Sequence, residues 1–359
     1  MPLFDARTGR VLLTILVVAA VLAFIYAAGH ILIAFLFSIF FAYLIDPLVC
    51  YAEPRVHTRG RAIAVVYVGF AIALALLGFL LGQRLAREAE HLAKTLPEMF
   101  QKFASGQIAW TIGSQHGWSY ETQLRLERFL ASHQQEMLDW AKRFAQHLAG
   151  LAKSAWWLVL VPILGVFFLK DGRGFADDIV GLVKSRRQQE FVDAVLGDIH
   201  IMLAHFIRAQ LILAVLSGVV YTGALLVMRV PYAVALGAIG GALEFIPVVG
   251  PFVAALLILF VALATGYNHI LLVLAFLGVW RIVQDYVNAP RIMGRHTELH
   301  PLLALFAVLS GAEIGGVVGV YLSIPIIASL RIVWRHWRAY MESPRPSDDE
   351  IIIPPSEVA

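Results

Sequence analysis

Two runs in this chain, Val11 to Ala28 and Ala62 to Gly82, contain no charged side chain, and Ile31 to Ile45 with its flanks continues the pattern. A helix of about 20 apolar residues spans an apolar layer about 30 Å thick, so each run is long enough to cross a membrane. The rest of the chain agrees. Of 359 residues 60% are hydrophobic and 15% are charged, against about 25% charged in soluble domains. That leaves too few charged groups to cover a water-exposed sphere. An all-α integral membrane protein of several passes follows.

Six segments read as full spans, at about 11–28, 31–49, 62–83, 151–169, 209–228 and 268–287. Arg7 and Arg10 ahead of the first run imitate a secretory signal. The apolar run resumes at Ile31 after only Gly29 and His30, which predicts a tight helical hairpin instead. Two further stretches, 231–266 and 301–330, are apolar but interrupted by Gly, Pro and an acid. Their halves of about 13–17 residues fall short of a crossing, so both are expected as re-entrant hairpins, with paired short spans as the alternative. That makes eight membrane segments. With the N-terminus inside, the inner segments hold sixteen Lys and Arg residues between Arg7 and Arg338, and the short outer loops hold only Arg229. Such an asymmetry places both termini in the cytoplasm, with Trp334, Arg335 and Trp337 as an inner aromatic and basic belt.

This layout divides the chain into five parts: spans one to three (1–83), an extracytoplasmic helical hairpin (84–150), span four with a cytoplasmic amphipathic segment (151–208), a transport core containing both broken hairpins (209–338), and a disordered tail (339–359). In the extracytoplasmic part, Leu85, Ala89, Leu92, Leu96, Met99 and Phe103 form a heptad-like stripe, as do Met137, Ala141, Phe144, Leu148 and Leu151. The stripes predict two arms packed on each other, or contact between copies in a homo-oligomer. Thr95 and Glu98 read as a capping box that restarts a helix, and Gly106, Gly113 and Gly117 as the turn between the arms. Phe191, Val195, Ile199, Met202 and Phe206 keep helical spacing on an amphipathic helix expected at the inner interface.

Enzyme signatures are missing: there is no G-x-x-x-x-G-K-[ST], G-x-G-x-x-G, H-E-x-x-H or G-x-S-x-G. The single cysteine, Cys50, excludes an internal disulfide and any Cys-based metal site. A net charge of +3 is too small to argue for nucleic acid. No cofactor is expected, and the partners are lipid and a small-molecule or ionic substrate.

What remains is a set of polar groups in apolar surroundings. Glu244 lies in Gly240-Gly241-Ala242-Leu243-Glu244-Phe245-Ile246-Pro247-Val248-Val249-Gly250-Pro251, and Glu313 in Ser310-Gly311-Ala312-Glu313-Ile314-Gly315-Gly316. Both acids follow a proline, Pro231 or Pro301, by 12 or 13 residues. Pro247, Gly250, Pro251, Gly311, Gly315 and Gly316 mark the breaks. Transporters with inverted repeats use broken helices of this kind to expose helix ends to a substrate near the midplane. An ionised carboxylate at the bilayer centre costs about 2.5–3.5 kcal/mol on insertion scales. Each acid must therefore be protonated, paired or wet, and a carboxyl that switches between such states is a natural proton carrier. Arg281 and Asp285, four apart, share a helix face and read as an interfacial ion pair. Gln210 and Arg208 open span five, with Arg208 snorkelling to headgroups. Asp46 reads as a helix-end group, Ser217, Gly218 and Gly223 as close-packing residues, and Tyr221 as packed beside them.

Several stretches stand in a familiar order: Phe41-Ala42-Tyr43-Leu44-Ile45-Asp46-Pro47-Leu48, Phe168-Leu169-Lys170-Asp171-Gly172, Arg208-Ala209-Gln210, Phe245-Ile246-Pro247-Val248-Val249-Gly250-Pro251, Pro290-Arg291-Ile292-Met293-Gly294 and His300-Pro301-Leu302-Leu303. From about residue 11 to 338 the chain resembles the autoinducer-2 exporter (AI-2E) family of bacterial multi-pass transporters. The resemblance implies a bacterial inner membrane and export of small molecules, a quorum signal in the namesake case, or exchange of sodium or lithium for protons. The chain departs from the family at Val248, where an aromatic is usual, and at Tyr286, where Asn is frequent.

Three functions fit these residues. The first is a gradient-driven exporter of a small polar molecule, with Glu244 and Glu313 at a shared, hydrated centre and the hairpins as gates. The second is a monovalent cation/proton antiporter using the same carboxylates, and the third a membrane scaffold that recruits partners. Intramembrane ionisable groups are functional by default, which favours the first.

Overall fold

The computed structural model describes residues 6–115, 117–136, 138–139, 157–183, 185–293 and 300–342. The second stripe, Met137 to Leu151, falls outside them apart from its surroundings at 138–139, as do the start of the fourth predicted span (151–156) and the tail beyond Glu342. The described residues are overwhelmingly helical and contain no strand. In chain order the elements are α1 (Ala6–Ala27), α2 (Gly29–Val56), α3 (Arg59–Ala104), α4 (Gln107–Gln115), α5 (Tyr120–Ser132), α6 (Trp157–Gly181), α7 (Arg186–Val227), α8 (Ala233–Glu244), α9 (Val249–Ala264), α10 (Ile270–Val283), a π-helical turn (Gln284–Asn288), α11 (Ala289–Met293) and α12 (Pro301–Glu342). Five stretches, Ile31–Val56, Arg59–Ala104, Arg186–Val227, Ile270–Met293 and Leu302–Glu342, are long and apolar enough to cross a membrane. The chain is thus a multi-pass, all-α membrane protein.

The chain forms two compact units, one within Met1–Gly172 and Ile207–Gly294, the other within Arg173–Phe206 and Arg295–Ala359. In the first unit, the expected hairpin between the first two spans is a bend. Ala28 N–H donates to Phe24 C=O and Leu32 N–H to Ala28 C=O, at 2.8 and 2.9 Å. With four-residue bonds on both sides of one off-helix residue (φ −84°, ψ 4°), the chain has no loop in which to reverse. Asp46 is likewise not at a helix end, because α2 runs on through Pro47 and Pro54 to Val56. Its carboxylate instead meets Arg59 at 3.0 Å, while Arg59 Nε donates to Leu169 C=O at 2.7 Å. One guanidinium therefore ties α2, α3 and α6 together around a small core of Ile45, Val49, Ala62, Ile63 and Leu169.

At 46 residues, α3 is about 69 Å long at 1.5 Å per residue, so it passes unbroken through the boundary expected at residue 83. Thr95 does not cap a new helix. It sits inside α3, and its hydroxyl donates back to the His91 carbonyl at 2.9 Å. Pro97 is accommodated within the same helix. The first stripe also finds a different partner from the one expected. Leu92, Leu96 and Met99 join the core built by Tyr221 and Leu225 of α7, Leu236 of α8, Ile258 and Val261 of α9, and Val273 and Leu277 of α10. Phe260 of α9 stacks on Phe100 at 4.3 Å and lies 5.5 Å from Phe103. Leu92, Leu96 and Met99 are thus packed within the chain. Gly106 and Gly117, with φ of +78° and +67°, make the turns into and out of α4. Gly113 lies inside α4 against Gln123.

In the second unit, α12 contains a reversal. Gly315 (φ −136°, ψ 15°) and Gly316 (φ 56°, ψ −137°) leave the helix, and a Cβ on either Gly311 or Gly319 would collide with the backbone of the other. Residues eight apart would be about 12 Å apart along a straight helix, so the two arms fold back on each other. The apolar stripe of α7's first half faces protein rather than a lipid surface. Phe206 packs near Tyr321 at 6.3 Å, and Phe191 against Tyr340 at 5.3 Å. Arg187 lies over the Tyr340 ring at 4.4 Å and donates to its carbonyl. Asp198 is held by Arg335 and by His336 Nε2 at 2.8 Å.

Candidate functional site

The site begins with how closely α8 lies on α7. Gly237, Gly240 and Gly241 face Thr222, Tyr221 and Gly218. A Cβ on Gly241 would fall 2.5 Å from Gly218 Cα and 2.9 Å from the Ala214 carbonyl. Small residues let two helices meet backbone to backbone where lipid offers no hydrophobic drive for association. That approach sets Glu244, the last residue of α8, beside the polar face of α7. Gln210 Nε2 donates to the Glu244 carbonyl at 2.6 Å, satisfying one of the bare C=O groups at a helix end. Tyr221 Oη donates to Glu244 Oε2 at 3.3 Å.

The second wall comes from α10 and the π-helical turn. Arg281 Nη1 donates to Glu244 Oε1 at 3.3 Å, while its Nε donates to Asp285 Oδ2 at 2.7 Å and its Nη2 to Asp285 Oδ1. The expected Arg281–Asp285 pair therefore exists, and it is extended to a third charge. Glu244 is 5% exposed, whereas the side chains of Arg281 and Asp285 are 42% and 43% exposed. The triad thus runs from a buried carboxylate to a half-exposed one through a single guanidinium. With all three ionised its charge sums to −1. Buried pairs of this kind survive only when their remaining hydrogen bonds are met, and both Glu244 oxygens have a donor.

Behind the triad, Ser217 is a buried hub. Its Oγ accepts from Gln284 Nε2 at 2.7 Å and from Trp280 Nε1 at 3.3 Å. Asn288 Nδ2 donates to Gln284 Oε1 at 2.6 Å. Gln210, Ser217 and Gln284 are all at most 4% exposed. Sequence alone marks Ser217 and Tyr221 only as packing residues and singles out none of Gln284, Asn288 and Trp280. The available signal was Gln284 and Asn288 standing four apart at the polar end of an otherwise apolar helix. π-Helical turns inside α-helices recur at functional sites.

The break itself is a γ-turn. Val249 N–H donates to Pro247 C=O at 2.7 Å across Val248, whose φ is 66° and ψ −56°. This left-handed form is rare and strained, more so for a β-branched residue. Gly250 is required, because a Cβ there would collide with the Leu243 carbonyl. Pro247 and Pro251 are buried in the same turn. Of the other predicted residues, Gly311, Gly315 and Gly316 shape the reversal in α12. Glu313 lies exposed just before that reversal, with no ion pair or hydrogen bond among the described residues. Arg208 Nε donates to the Tyr43 carbonyl at 3.5 Å.

Known proteins are similar to this chain over most of its length. The family model described as AI-2E family transporter matches residues 14–339. The Bacillus subtilis protein named "Putative transport protein YrrI" is 25% identical over 311 residues, covering 86% of each chain. A second from that organism, "Putative transport protein YueF", is 22% identical over 89% of each chain. "Putative transport protein YhhT" of Escherichia coli K12 is 24% identical over 91% of this chain and 90% of its own. A match across most of its length, on a helical frame with several membrane-spanning segments, makes this chain a member of the AI-2E transporter family.

Proposed function

We propose that this protein is a secondary transporter of the bacterial inner membrane that exports a small polar metabolite at the expense of an ion gradient, with Glu244 as the coupling carboxylate. One observation carries the reading: Glu244 is buried at the break between two short helices, with Arg281 and Tyr221 each 3.3 Å from one of its oxygens. A carboxylate held so can exchange its guanidinium partner for a proton, which alternates the charge of the site without moving the backbone far. Asp285 and Arg281 supply the wet end of the path and Gln210 fixes the helix end. The hairpins α8–α9 and the two arms of α12 enter the membrane and return, and the basic end of α12 lies in the cytoplasm. Glu313, on the exposed approach to the second reversal, is the gate-side acid.

The net charge of −1 on the triad favours a second reading, exchange of a monovalent cation for protons at the same carboxylates. Proteoliposomes of purified protein separate the two. Flux of organic solutes under an imposed proton gradient supports export, and sodium-dependent proton movement without any organic solute supports cation exchange. Glu244→Gln is expected to abolish either flux while the protein remains folded in the membrane. Undiminished flux in that variant removes Glu244 from the mechanism.

A further inference from the structure

The first residue of α8 lacks a cap of its own. Tyr232, which precedes the helix, has φ +60° and makes no side-chain cap bond. The carboxylate that serves comes from 146 residues away: Glu88 Oε2, on α3, accepts from Val234 N–H at 2.9 Å and from Ala235 N–H at 3.1 Å. Helix N-termini favour a negative charge because their first N–H groups are unpaired and the helix dipole is positive there. Arg84 Nε holds the other oxygen of Glu88 at 3.0 Å. One turn along α3, His91 stacks on Tyr232 at 5.6 Å and shares a hydrogen bond between its Nδ1 and the Tyr232 hydroxyl at 2.7 Å. Tyr267 Oη donates to the Met228 carbonyl at 2.6 Å, pinning the loop before α8.

Along its length α8 is held by the glycine contacts with α7, and at its far end by Gln210. The segment that follows is held quite differently. Phe245 to Val249 carries the strained γ-turn, and Val248 and Val249 are 51% and 39% exposed.

We propose that Glu88 is a positioning residue for Glu244. Acting through α8, it keeps that carboxylate stationary against Arg281 and Tyr221, and the turn from Phe245 to Val249, hinged at Val248, moves alone to open and close access. The inference rests on the reading of Glu244 as the coupling group, but its test needs no transported solute. It also reverses the expectation that the whole hairpin swings as a gate, since one of its two helices is fastened at both ends.

The experiment is hydrogen exchange by mass spectrometry on the full chain in phosphatidylethanolamine–phosphatidylglycerol nanodiscs, paired with carbodiimide modification of Glu244 followed over pH. In the wild type, amides of α8 should exchange at least about tenfold more slowly than those of 245–250, because strained, exposed turns open below the global stability. Glu88→Ala should speed exchange in the first turn of α8 by about tenfold, the scale of losing a cap, with the turn at 245–250 unchanged. It should also make Glu244 modification at least about threefold faster at a given pH, as the carboxylate slackens from Arg281. Glu88→Gln, which keeps one acceptor oxygen but loses the charge that faces Arg84 and the helix end, should give values of both between those of wild type and Glu88→Ala. If the alanine variant does not fold, wild-type values of both in Glu88→Gln overturn the proposal. The proposal is overturned if α8 and 245–250 exchange at one rate, or if Glu88→Ala leaves the first turn of α8 or the Glu244 modification unchanged. Those results would leave transport loss in Glu244→Gln untouched. Conversely, normal transport in Glu244→Gln would leave the exchange pattern standing, so the two readings fail separately.

Discussion

Arg281 grips Asp285 through two nitrogens while its third reaches Glu244 at 3.3 Å. One cation is shared between a half-exposed carboxylate and a buried one.

Removing the shared cation should therefore cost more than a surface ion pair. Arg281→Gln leaves buried Glu244 without its cation, and the half-exposed position of Arg281 moderates the loss to about 1–3 kcal/mol. Adding Glu244→Gln to that variant should recover most of it, because the double change removes the stranded charge as well. Unfolding midpoints of the four proteins in detergent close the cycle, and additive losses would deny the coupling.

The α7–α8 contact makes a sharper demand. Gly241→Ala is expected to destabilise by about 1–3 kcal/mol, the range for overpacking, since its new methyl meets backbone rather than a side chain that can turn away. Gly69→Ala in α3, with nothing within 4 Å of the added carbon, should gain up to about 1 kcal/mol from helix propensity. Thermal unfolding of the two variants side by side checks both signs.

At the break, Val248 sits where a β-branched residue is strained. Val248→Gly should relieve about 1–2 kcal/mol of left-handed penalty and return part of it as added freedom of the unfolded chain, for a net gain of about 0.5–1 kcal/mol. A lower unfolding midpoint would mean that the valine side chain contributes packing that outweighs the strain.

In the second unit, Asp198 accepts from Arg335 and from His336 Nε2, the latter at 2.8 Å, with its side chain 38% exposed. Asp198→Asn should lower stability by no more than about 1 kcal/mol, the scale of a partly exposed ion pair, read as a small fall in the unfolding midpoint at neutral pH. A larger fall would mean that the cluster ties α7 to α12 more tightly than its exposure implies.

Much of the architecture was legible because it follows from composition along a line. Helices too apolar for water, and the glycine and proline breaks at 245–251 and 315–316, announce themselves in the order of residues. The polar residues of the site were only partly legible. Glu244, Arg281, Asp285 and Gln210 stand out as charges or amides in apolar surroundings. Ser217 and Gln284 do not, since a small hydroxyl inside a helix looks the same whether it packs or receives two hydrogen bonds. The first stripe of α3 is legible as an apolar face, but its packing on α7, α8, α9 and α10 is not, because periodicity shows which face is buried and not against what.

From the order of residues alone came a helical membrane protein, its broken segments and the acids beside them, because the cost of placing charge and unpaired backbone in lipid is local. Folding in three dimensions decided the rest. Glycine contacts between α7 and α8 set Glu244 beside Tyr221, packing brought Arg281 of α10 to Glu244 of α8, and Glu88 capped a helix 146 residues distant. Those relations depend on which backbones approach closely enough to share hydrogen bonds, and closeness between remote segments is a property of packing that no local spacing encodes.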